Sequence, residues 1–372
     1  MTYRTMTDRV RIRTTVLATL VLAGVFVHAQ EVGVGVLGLF RPRQLALSPV
    51  AGSALVVHVG ARAGAESIVL EASSGVNIAH IYVRGDQIVL AVGTRVLRAS
   101  AVTVTSRENG PVDFNLAVPG KITRHYRGAL ELKPAPRVLT AVVTMDMETA
   151  VASVVAAEDT VGAPSEALKA LAIAARSYFA AGKGRHHDFD FCDTTHCQFL
   201  REPPASTSAA AQAASVTRGL VIAYQSAYQA QPIAAMYTRS CSGRTRTPSE
   251  LGLAPAAYPY YSVECNYCRQ HPSRWESRLS AEDAATLRSS NESSRLRLDR
   301  RLGWSAVPSN DFVMRKGGGQ TVLRGVGHGH GIGLCQAGAR AMAESGADFR
   351  EILAHYYPNT VIITLGHVAF LR

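Results

Sequence analysis

The sequence predicts an α+β protein in which a β-rich N-terminal domain, residues 30–137, packs on a mixed α/β domain, residues 138–372. A change of pattern predicts this division. Short β-branched runs separated by glycine, asparagine and aspartate fill the first part, whereas apolar residues at helical spacing appear after about residue 138. Hydrophobic residues make up 47% of the chain, which is enough to build a core and argues against disorder.

Residues 1–29 are typical of a secretory signal peptide. Four arginines precede an uncharged run over residues 14–27, and Val27-His28-Ala29 places small residues at the two positions that a signal peptidase reads. The run is short for a bilayer span, so we expect cleavage and a mature chain that begins near Gln30. A retained N-terminal anchor is the alternative. In both cases the protein is predicted to work in the periplasm or another extracytoplasmic part of the cell envelope.

The net charge is strongly positive. It is +11 for the whole chain and falls to about +8 without residues 1–29, which contain four arginines and one aspartate. A basic surface favours anionic polymers, and in a cell envelope these are wall polymers and lipid head groups. Export makes nucleic acid a poor partner, and we expect none. A charge that only keeps the protein soluble is the open alternative.

The first domain is predicted from alternating or continuous apolar runs between turn residues. The runs include residues 32–36, 54–59 and 88–92, and the turns include Arg84-Gly85-Asp86 and Asn109-Gly110-Pro111. This part of the sequence contains no catalytic constellation. We therefore expect it to serve as a scaffold or a ligand-contact surface.

The second domain is predicted to begin with a strand and two helices, over residues 139–145, 148–158 and 165–181. Pro164 and Ser165 are typical of a helix start. The remaining predicted elements are a helix or loose connection at 205–214, a strand pair at 219–224 and 232–237, a charged, solvated surface segment at 289–301, a helix at 348–356 and a strand at 360–365.

Glu158 is the first candidate for chemistry. It lies seven residues after Val151 and on the same helical face as Val151, Val154 and Val155. A carboxyl group on a buried face is desolvated, which raises its pKa and allows it to donate a proton near neutral pH. The alternative is a helix-end glutamate that turns to solvent or pairs with Lys169 or Arg176.

The second candidate is the run Gly327-His328-Gly329-His330-Gly331-Ile332-Gly333. Alternating glycines allow positive φ angles and a close approach of the backbone to a ligand. The run lacks the Gly-Lys-Ser/Thr ending of a phosphate loop, and no βαβ setting supports a dinucleotide fingerprint. A purely structural glycine turn is the alternative.

Six cysteines fall into two further groups. His186, Cys192, His196 and Cys197 offer two imidazoles and two thiols, which match a tetrahedral zinc site that four protein ligands would saturate, so that any zinc is structural. A Cys192–Cys197 disulfide with surface histidines is equally open. Cys265-Asn266-Tyr267-Cys268, together with Cys241 and Cys335, is compatible with two disulfides or with a second metal site.

Taken together, the motifs resemble the stage II sporulation protein D and LytB amidase-enhancer family (SpoIID/LytB). The similarity extends from about residue 126 to residue 360. The matching stretches, in chain order, are residues 154–158, 163–178, 217–224 with 237–245, 329–339 and 352–358. The resemblance implies that the second domain has a SpoIID-like mixed α/β fold.

The resemblance also implies an activity. Family members related to the sporulation protein are lytic transglycosylases that cut peptidoglycan glycan strands stripped of stem peptides, and the family's catalytic glutamate falls on Glu158. Protonated Glu158 would give its proton to the oxygen between N-acetylmuramic acid and N-acetylglucosamine. The carboxylate would then take the C6 hydroxyl proton as a 1,6-anhydro ring closes. Water is not the nucleophile, so the second carboxylate of ordinary glycosidases is not required.

Further expectations follow from the same resemblance. A structural zinc ion on His186, Cys192, His196 and Cys197 is implied, and no cofactor is required for catalysis. The expected substrate-binding residues that shape the groove are Lys169, Arg176, His330 and Gln336. The expected partners are peptidoglycan glycan strands and, as the amidase-enhancer members are named for, a cell-wall amidase.

The sequence departs from the family pattern at three places: Asp159 follows the glutamate in place of methionine, Leu171 replaces a common glutamine, and Ser242 interrupts a glycine pair. Asp159 is expected either to raise the pKa of Glu158 further or to point away. Two alternative functions stay open. One is a non-catalytic peptidoglycan binder that enhances an amidase, and the other is a metal-dependent hydrolase that uses His328 and His330.

Overall fold

The computed structural model describes residues 30–365 apart from 61–65, 76, 160–161, 226–228, 288–290 and 318. The predicted signal peptide, residues 1–29, lies outside this description. Among the described residues, no helix combines the length and the apolar character that a membrane crossing requires.

One large sheet dominates the N-terminal part. Its first eleven strands are β1 (Glu31–Val36), β2 (Gln44–Pro49), β3 (Ala54–Val59), β4 (Glu66–Glu71), β5 (Ala79–Arg84), β6 (Gln87–Val92), β7 (Arg95–Ala99), β8 (Val102–Thr105), β9 (Val112–Val118), β10 (Ile122–Ala135) and β11 (Val138–Asp146). With β12 (Phe191–Cys192), the main path runs β12-β1-β11-β10-β9-β2-β5-β6-β7; β8 pairs with β10 and β3, and β3 pairs with β4. The β-rich part of the predicted α+β fold is confirmed.

The long strand β10 changes partner at Gly128. Residues 122–128 of β10 pair with β9, and residues 129–135 pair with β11. A Cβ atom at Gly128 would lie 2.4 Å from the carbonyl oxygen of Thr144. Only glycine permits this close approach, so one long strand can serve both halves of the sheet.

The sheet continues past the predicted domain boundary at residue 137. Strand β11 pairs antiparallel with both β10 and β1, and it leads directly into the first helix. Buried residues of the strands and of the helices behind them form one hydrophobic cluster. The division at residue 137 stays a prediction.

The mixed part begins with three packed helices: α1 (Met147–Glu158), α2 (Ser165–Ala181) and α3 (Ala209–Val216). The Asp146 carboxylate starts α1 by accepting hydrogen bonds from the backbone N–H groups of Glu148 and Thr149 at 3.0 and 3.2 Å. Val151, Val154 and Val155 are fully buried, which confirms the predicted apolar face. The helices predicted at 148–158 and 165–181 are present.

The elements after α3 include a three-stranded sheet, a two-stranded sheet and two helices near the end of the described residues. The three-stranded sheet has the order β14-β13-β20 and consists of β13 (Leu220–Gln225), β14 (Ala230–Pro232) and β20 (Thr360–Thr364). The other elements are β15 (Tyr237–Thr238), β19 (Leu334–Cys335), α7 (Gln336–Glu344) and α8 (Phe349–Tyr356). The strand expected at 232–237 is therefore corrected: β14 ends at Pro232, and Tyr237 pairs instead with Leu334 in parallel fashion.

The intervening elements form a small sheet with helices: α4 (Asn266–Gln270), β16 (Arg274–Ser280), α5 (Ala281–Thr286), α6 (Glu292–Leu302), β17 (Phe312–Gly317) and β18 (Gln320–Val326). Strand β18 lies between β16 and β17.

Helix α6 corrects the expectation of a solvated segment at 289–301, of which 288–290 lie outside the description. Glu292, Arg295 and Asp299 are buried, and Arg295 donates to Glu292 at 2.7 and 2.8 Å and to Asp299 at 2.8 Å. Charges three and four residues apart lie on one helical face, so Arg295 pairs with both carboxylates and the three side chains can be buried together.

Candidate active site

Glu158 is the last residue of α1. Its side chain is partly exposed, and its Oε2 accepts a hydrogen bond of 3.1 Å from Nε2 of Gln336, the first residue of α7. The two residues are 178 positions apart in sequence. The fold therefore brings two of the predicted site residues together.

A small recess lies beside the Glu158 carboxyl. Leu168 and Leu171 of α2 and Leu334 of β19 form its apolar wall, and Asp159 and Arg340 complete the polar part of its rim. Leu171 thus adds to the apolar part of the recess beside the acid.

Burial raises the pKa of Glu158 above its usual range, against the opposing effects of the Gln336 hydrogen bond and the positive charge of Arg239. Burial also raises the pKa of Asp159, and the Arg340 guanidinium lowers it. Asp159 Oδ1 is buried and finds no hydrogen-bond partner among the described residues. The pKa of Glu158 is therefore set by burial, by the hydrogen bond from the Gln336 amide and by the positive charge of Arg239.

The glycine-histidine run folds against residues 236–240. His328 exchanges backbone hydrogen bonds with Ser240, and its carbonyl oxygen also accepts a hydrogen bond of 2.8 Å from Thr238 Oγ1. Gly333 has φ +70°, and a Cβ atom there would lie 1.9 Å from the carbonyl oxygen of Met236. A Cβ atom at Gly327 would likewise lie 2.9 Å from the Ser240 carbonyl oxygen, so these two glycines are required by the contact between backbones.

The two histidines of this run are held by different neighbours. His330 Nδ1 accepts a hydrogen bond of 2.9 Å from Ile332 N, and burial lowers the pKa of His330 to about 4, with Glu292 opposing and Arg295 assisting. His330 is therefore neutral at physiological pH. His328 Nδ1 lies 3.0 Å from Ser273 Oγ, and burial together with the charge of Arg239 lowers the pKa of His328.

Two residues of this site were not among those predicted. Arg239 is exposed, and its charge acts on both Glu158 and His328. Tyr237 donates its hydroxyl hydrogen to Gln198 Oε1 at 3.0 Å, and burial, followed by the charge of Glu158, raises the pKa of Tyr237 well above its usual range. In the sequence, these two residues are marked only by lying in the stretch 237–245, which resembles the family pattern.

Lys169 and Arg176, predicted to shape the groove, are occupied elsewhere. Lys169 Nζ lies 2.5 Å from Glu166 Oε1, three residues earlier on α2. Arg176 is fully buried and donates to both carboxylate oxygens of Glu148, at 2.9 and 2.6 Å. This placement corrects the expectation for Arg176, because a side chain without exposure cannot touch a polymer in a groove.

The predicted cluster of two histidines and two cysteines comes together around β12. The ligand atoms of His186, Cys192, His196 and Cys197 all lie within 4.8 Å of one another. His186 Nε2 is 3.2 Å from Cys197 Sγ, and His196 Nδ1 is 3.7 Å from Cys192 Sγ. These spacings fit the edges of a tetrahedron around a zinc ion. Gln198, which binds the Tyr237 hydroxyl, follows Cys197 directly, so the cluster is adjacent in sequence to a residue of the site.

Comparison with known proteins gives similarities to one family model and to individual proteins. Residues 136–224 match the family model described as Stage II sporulation protein. An uncharacterized protein of Brachyspira hyodysenteriae is 28% identical over 277 residues, which are 65% of this chain and 73% of that protein. The Amidase enhancer of Bacillus subtilis is 38% identical over 61 residues, 16% of this chain and 9% of that protein.

A further relative is the Stage II sporulation protein D of Bacillus amyloliquefaciens, 43% identical over 49 residues. The match covers 13% of this chain and 14% of that protein, so this chain spans a small part of both named Bacillus relatives. The resemblance predicted from the motifs is confirmed: residues 136–224 match the Stage II sporulation protein model, and the chain is similar to an Amidase enhancer and to a Stage II sporulation protein D.

Proposed function

We propose that this protein acts on the bacterial cell wall as a peptidoglycan lytic transglycosylase, with Glu158 as the single acid and base. The observation that supports this most directly is the position of the Glu158 carboxyl. It ends a buried helix beside an apolar recess, and burial raises its pKa. Such a carboxyl group keeps its proton to a higher pH than an exposed one and is suited to protonate a leaving oxygen.

In the proposed reaction, protonated Glu158 donates its proton to the glycosidic oxygen as that bond breaks. The resulting carboxylate takes the proton of the C6 hydroxyl group, whose oxygen closes the 1,6-anhydro ring on the muramic acid residue. Gln336 fixes the orientation of the carboxyl through its 3.1 Å hydrogen bond. The exposed guanidinium of Arg239 stabilises negative charge on Glu158 after the first proton transfer.

His186, Cys192, His196 and Cys197 would hold a zinc ion in this proposal. When bound, zinc would supply a cross-link with four protein ligands and no open position for substrate. The cluster would thereby fix the segment that ends in Gln198, whose side chain binds Tyr237 beside the acid. Export to the cell envelope, proposed from residues 1–29, would place the protein beside its polymer.

The second candidate is a non-catalytic protein that binds peptidoglycan and enhances a cell-wall amidase. The 61-residue similarity to the Amidase enhancer of Bacillus subtilis favours it. The two candidates differ in whether a chemical step occurs at Glu158.

Digestion of glycan strands stripped of stem peptides tests the proposal. The products are separated and examined for 1,6-anhydro ends by mass spectrometry. We expect the wild-type protein and Glu344→Gln, a control on the exposed end of α7, to form these ends. Glu158→Gln should lose roughly a hundredfold or more of the rate. Equal product from wild type and Glu158→Gln would refute the acid role, and an amidase assay that both proteins stimulate equally would establish the second candidate.

A further inference from the structure

A second group of cysteines gathers near the start of α7. Cys241 follows β15, Cys265 and Cys268 flank the beginning of α4, and Cys335 ends β19. All four side chains are buried. They come from three separate stretches of the sequence, yet their sulfur atoms all lie within 4.8 Å of one another.

The spacing of these sulfur atoms matches one metal ion. The Sγ atoms of Cys268 and Cys335 are 3.6 Å apart. A zinc ion with Zn–S bonds of about 2.3 Å in a tetrahedron places its sulfur ligands about 3.8 Å from each other. A disulfide needs about 2.05 Å. The two-residue spacing between Cys265 and Cys268 is also the ligand spacing of structural zinc sites.

The surroundings support the sulfur atoms as ligands. The backbone N–H of Cys241 donates to Cys335 Sγ at 3.3 Å, and the Tyr356 hydroxyl lies 3.6 Å from Cys265 Sγ. Hydrogen bonds of this kind orient metal-bound thiolates and stabilise their charge. Gly338 provides space on α7, since a Cβ atom there would lie 2.6 Å from Cys265 Sγ and 2.0 Å from the Tyr356 hydroxyl oxygen.

We propose that Cys241, Cys265, Cys268 and Cys335 bind one zinc ion through four thiolates. The site is structural because four protein ligands leave no open position, and binding releases the thiol protons to solvent. The ion would join the segment after β15, the beginning of α4 and the start of α7. Cys335 immediately precedes Gln336, so the ion would also anchor the residue that binds Glu158. This site is separate from the one at His186, and the inference does not depend on the proposed activity.

Metal analysis of the purified, full-length wild-type protein tests the proposal. We expect about two zinc equivalents per chain by elemental analysis, one for each cluster. Zinc-edge X-ray absorption should show more sulfur than nitrogen neighbours, because one site supplies four sulfurs and the other two. A cobalt-substituted sample should show the strong thiolate-to-metal charge-transfer bands of a four-sulfur site.

Variants assign each ion to its cluster. Cys268→Ser should lower the zinc content to about one equivalent and remove the four-sulfur spectrum. Cys192→Ser, the matched control in the other cluster, should also retain about one equivalent but keep the four-sulfur spectrum. If Cys268→Ser fails to fold, thiol mapping of the wild type by mass spectrometry under denaturing, non-reducing conditions replaces it. Disulfides among the four cysteines, bound iron, or a zinc content that Cys192→Ser abolishes would each overturn the proposal.

Discussion

Two opposing influences act on the pKa of the Glu158 carboxyl, and different neighbours cause them. Burial beside the apolar side chains of Leu168, Leu171 and Leu334 favours the protonated form, whereas Gln336 and Arg239 favour the ionised form. Burial is the larger influence, so the net effect is a raised pKa. The raised pKa extends the protonated form toward neutral pH.

Arg239→Gln should move the pH dependence of cleavage. Removing this cation removes an influence that lowers the pKa of Glu158, so the folded-state pKa rises. The acid form is lost as pH rises through that pKa, and the basic limb of the rate profile should therefore shift upward by roughly one pH unit or less. A series of initial rates on stripped glycan at different pH values measures this shift. A downward shift would contradict the assignment, and Arg340→Gln, whose guanidinium acts on Asp159, is the control.

Arg176 makes a structural rather than a substrate contact. Arg176→Met leaves the Glu148 carboxylate without its bidentate partner in a largely buried position, and we expect a loss of about 3–5 kcal/mol in the free energy of unfolding. Lys169→Met removes an ion pair that is partly exposed, and it should cost about 1 kcal/mol or less. Urea unfolding monitored by circular dichroism compares the two. Equal, small losses in the free energy of unfolding would show that the buried Arg176–Glu148 ion pair does not stabilise the helices more than the Lys169–Glu166 pair does.

At the scale of the elements, local patterns predicted the helices well and the long-range contacts poorly. The valines at positions 151, 154 and 155 repeat at helical spacing, which is why α1 and the orientation of Glu158 could be predicted. Tyr237 and Arg239 were missed because β15 is two residues long and forms only by pairing with β19, almost a hundred residues later. Helix α6 was missed because its charges are buried through mutual pairing, which composition does not reveal.

The contact between the glycine-histidine run and residues 236–240 should be sensitive to a single methyl group. Gly333→Ala places a Cβ atom 1.9 Å from the Met236 carbonyl oxygen and requires φ +70° of an alanine, so we expect a loss of at least about 2 kcal/mol in stability. Gly38→Ala is the control, because its added Cβ atom meets no described atom within 4 Å and should change stability by less than about 0.5 kcal/mol. Thermal unfolding of both variants decides the matter, and similar melting temperatures would rule out the close contact.

At the scale of the whole molecule, the large sheet and helices α1–α3 share one cluster of buried apolar residues. The α+β class could be predicted from the change in pattern near residue 138, but the continuity of the core could not, because β11 reads equally well as the start of a new domain. The N-terminal sheet therefore packs against α1, the helix that ends at Glu158.

The N-terminal end of the sheet also bears on export. The Gln30 carbonyl oxygen accepts a hydrogen bond of 2.8 Å from Met147 N, at the beginning of α1. Cleavage after Ala29 would preserve this contact, so we expect the exported form to begin at Gln30. N-terminal sequencing of protein recovered from the periplasm of a bacterial host tests the expectation, and Ala29→Asp should block processing. Recovery of the full-length chain from the membrane fraction would favour the retained anchor instead.

The partner of Glu158 is an uncharged amide, and this has a consequence for a group that must both release and recover a proton. A lysine or arginine in the place of Gln336 would hold the ionised form and resist its reprotonation. An amide N–H donates most strongly to a carboxylate oxygen, but it can also donate to the carbonyl oxygen of a neutral carboxyl group. Through the 3.1 Å contact, the side chain can keep one orientation over a full turnover, whichever protonation state it occupies.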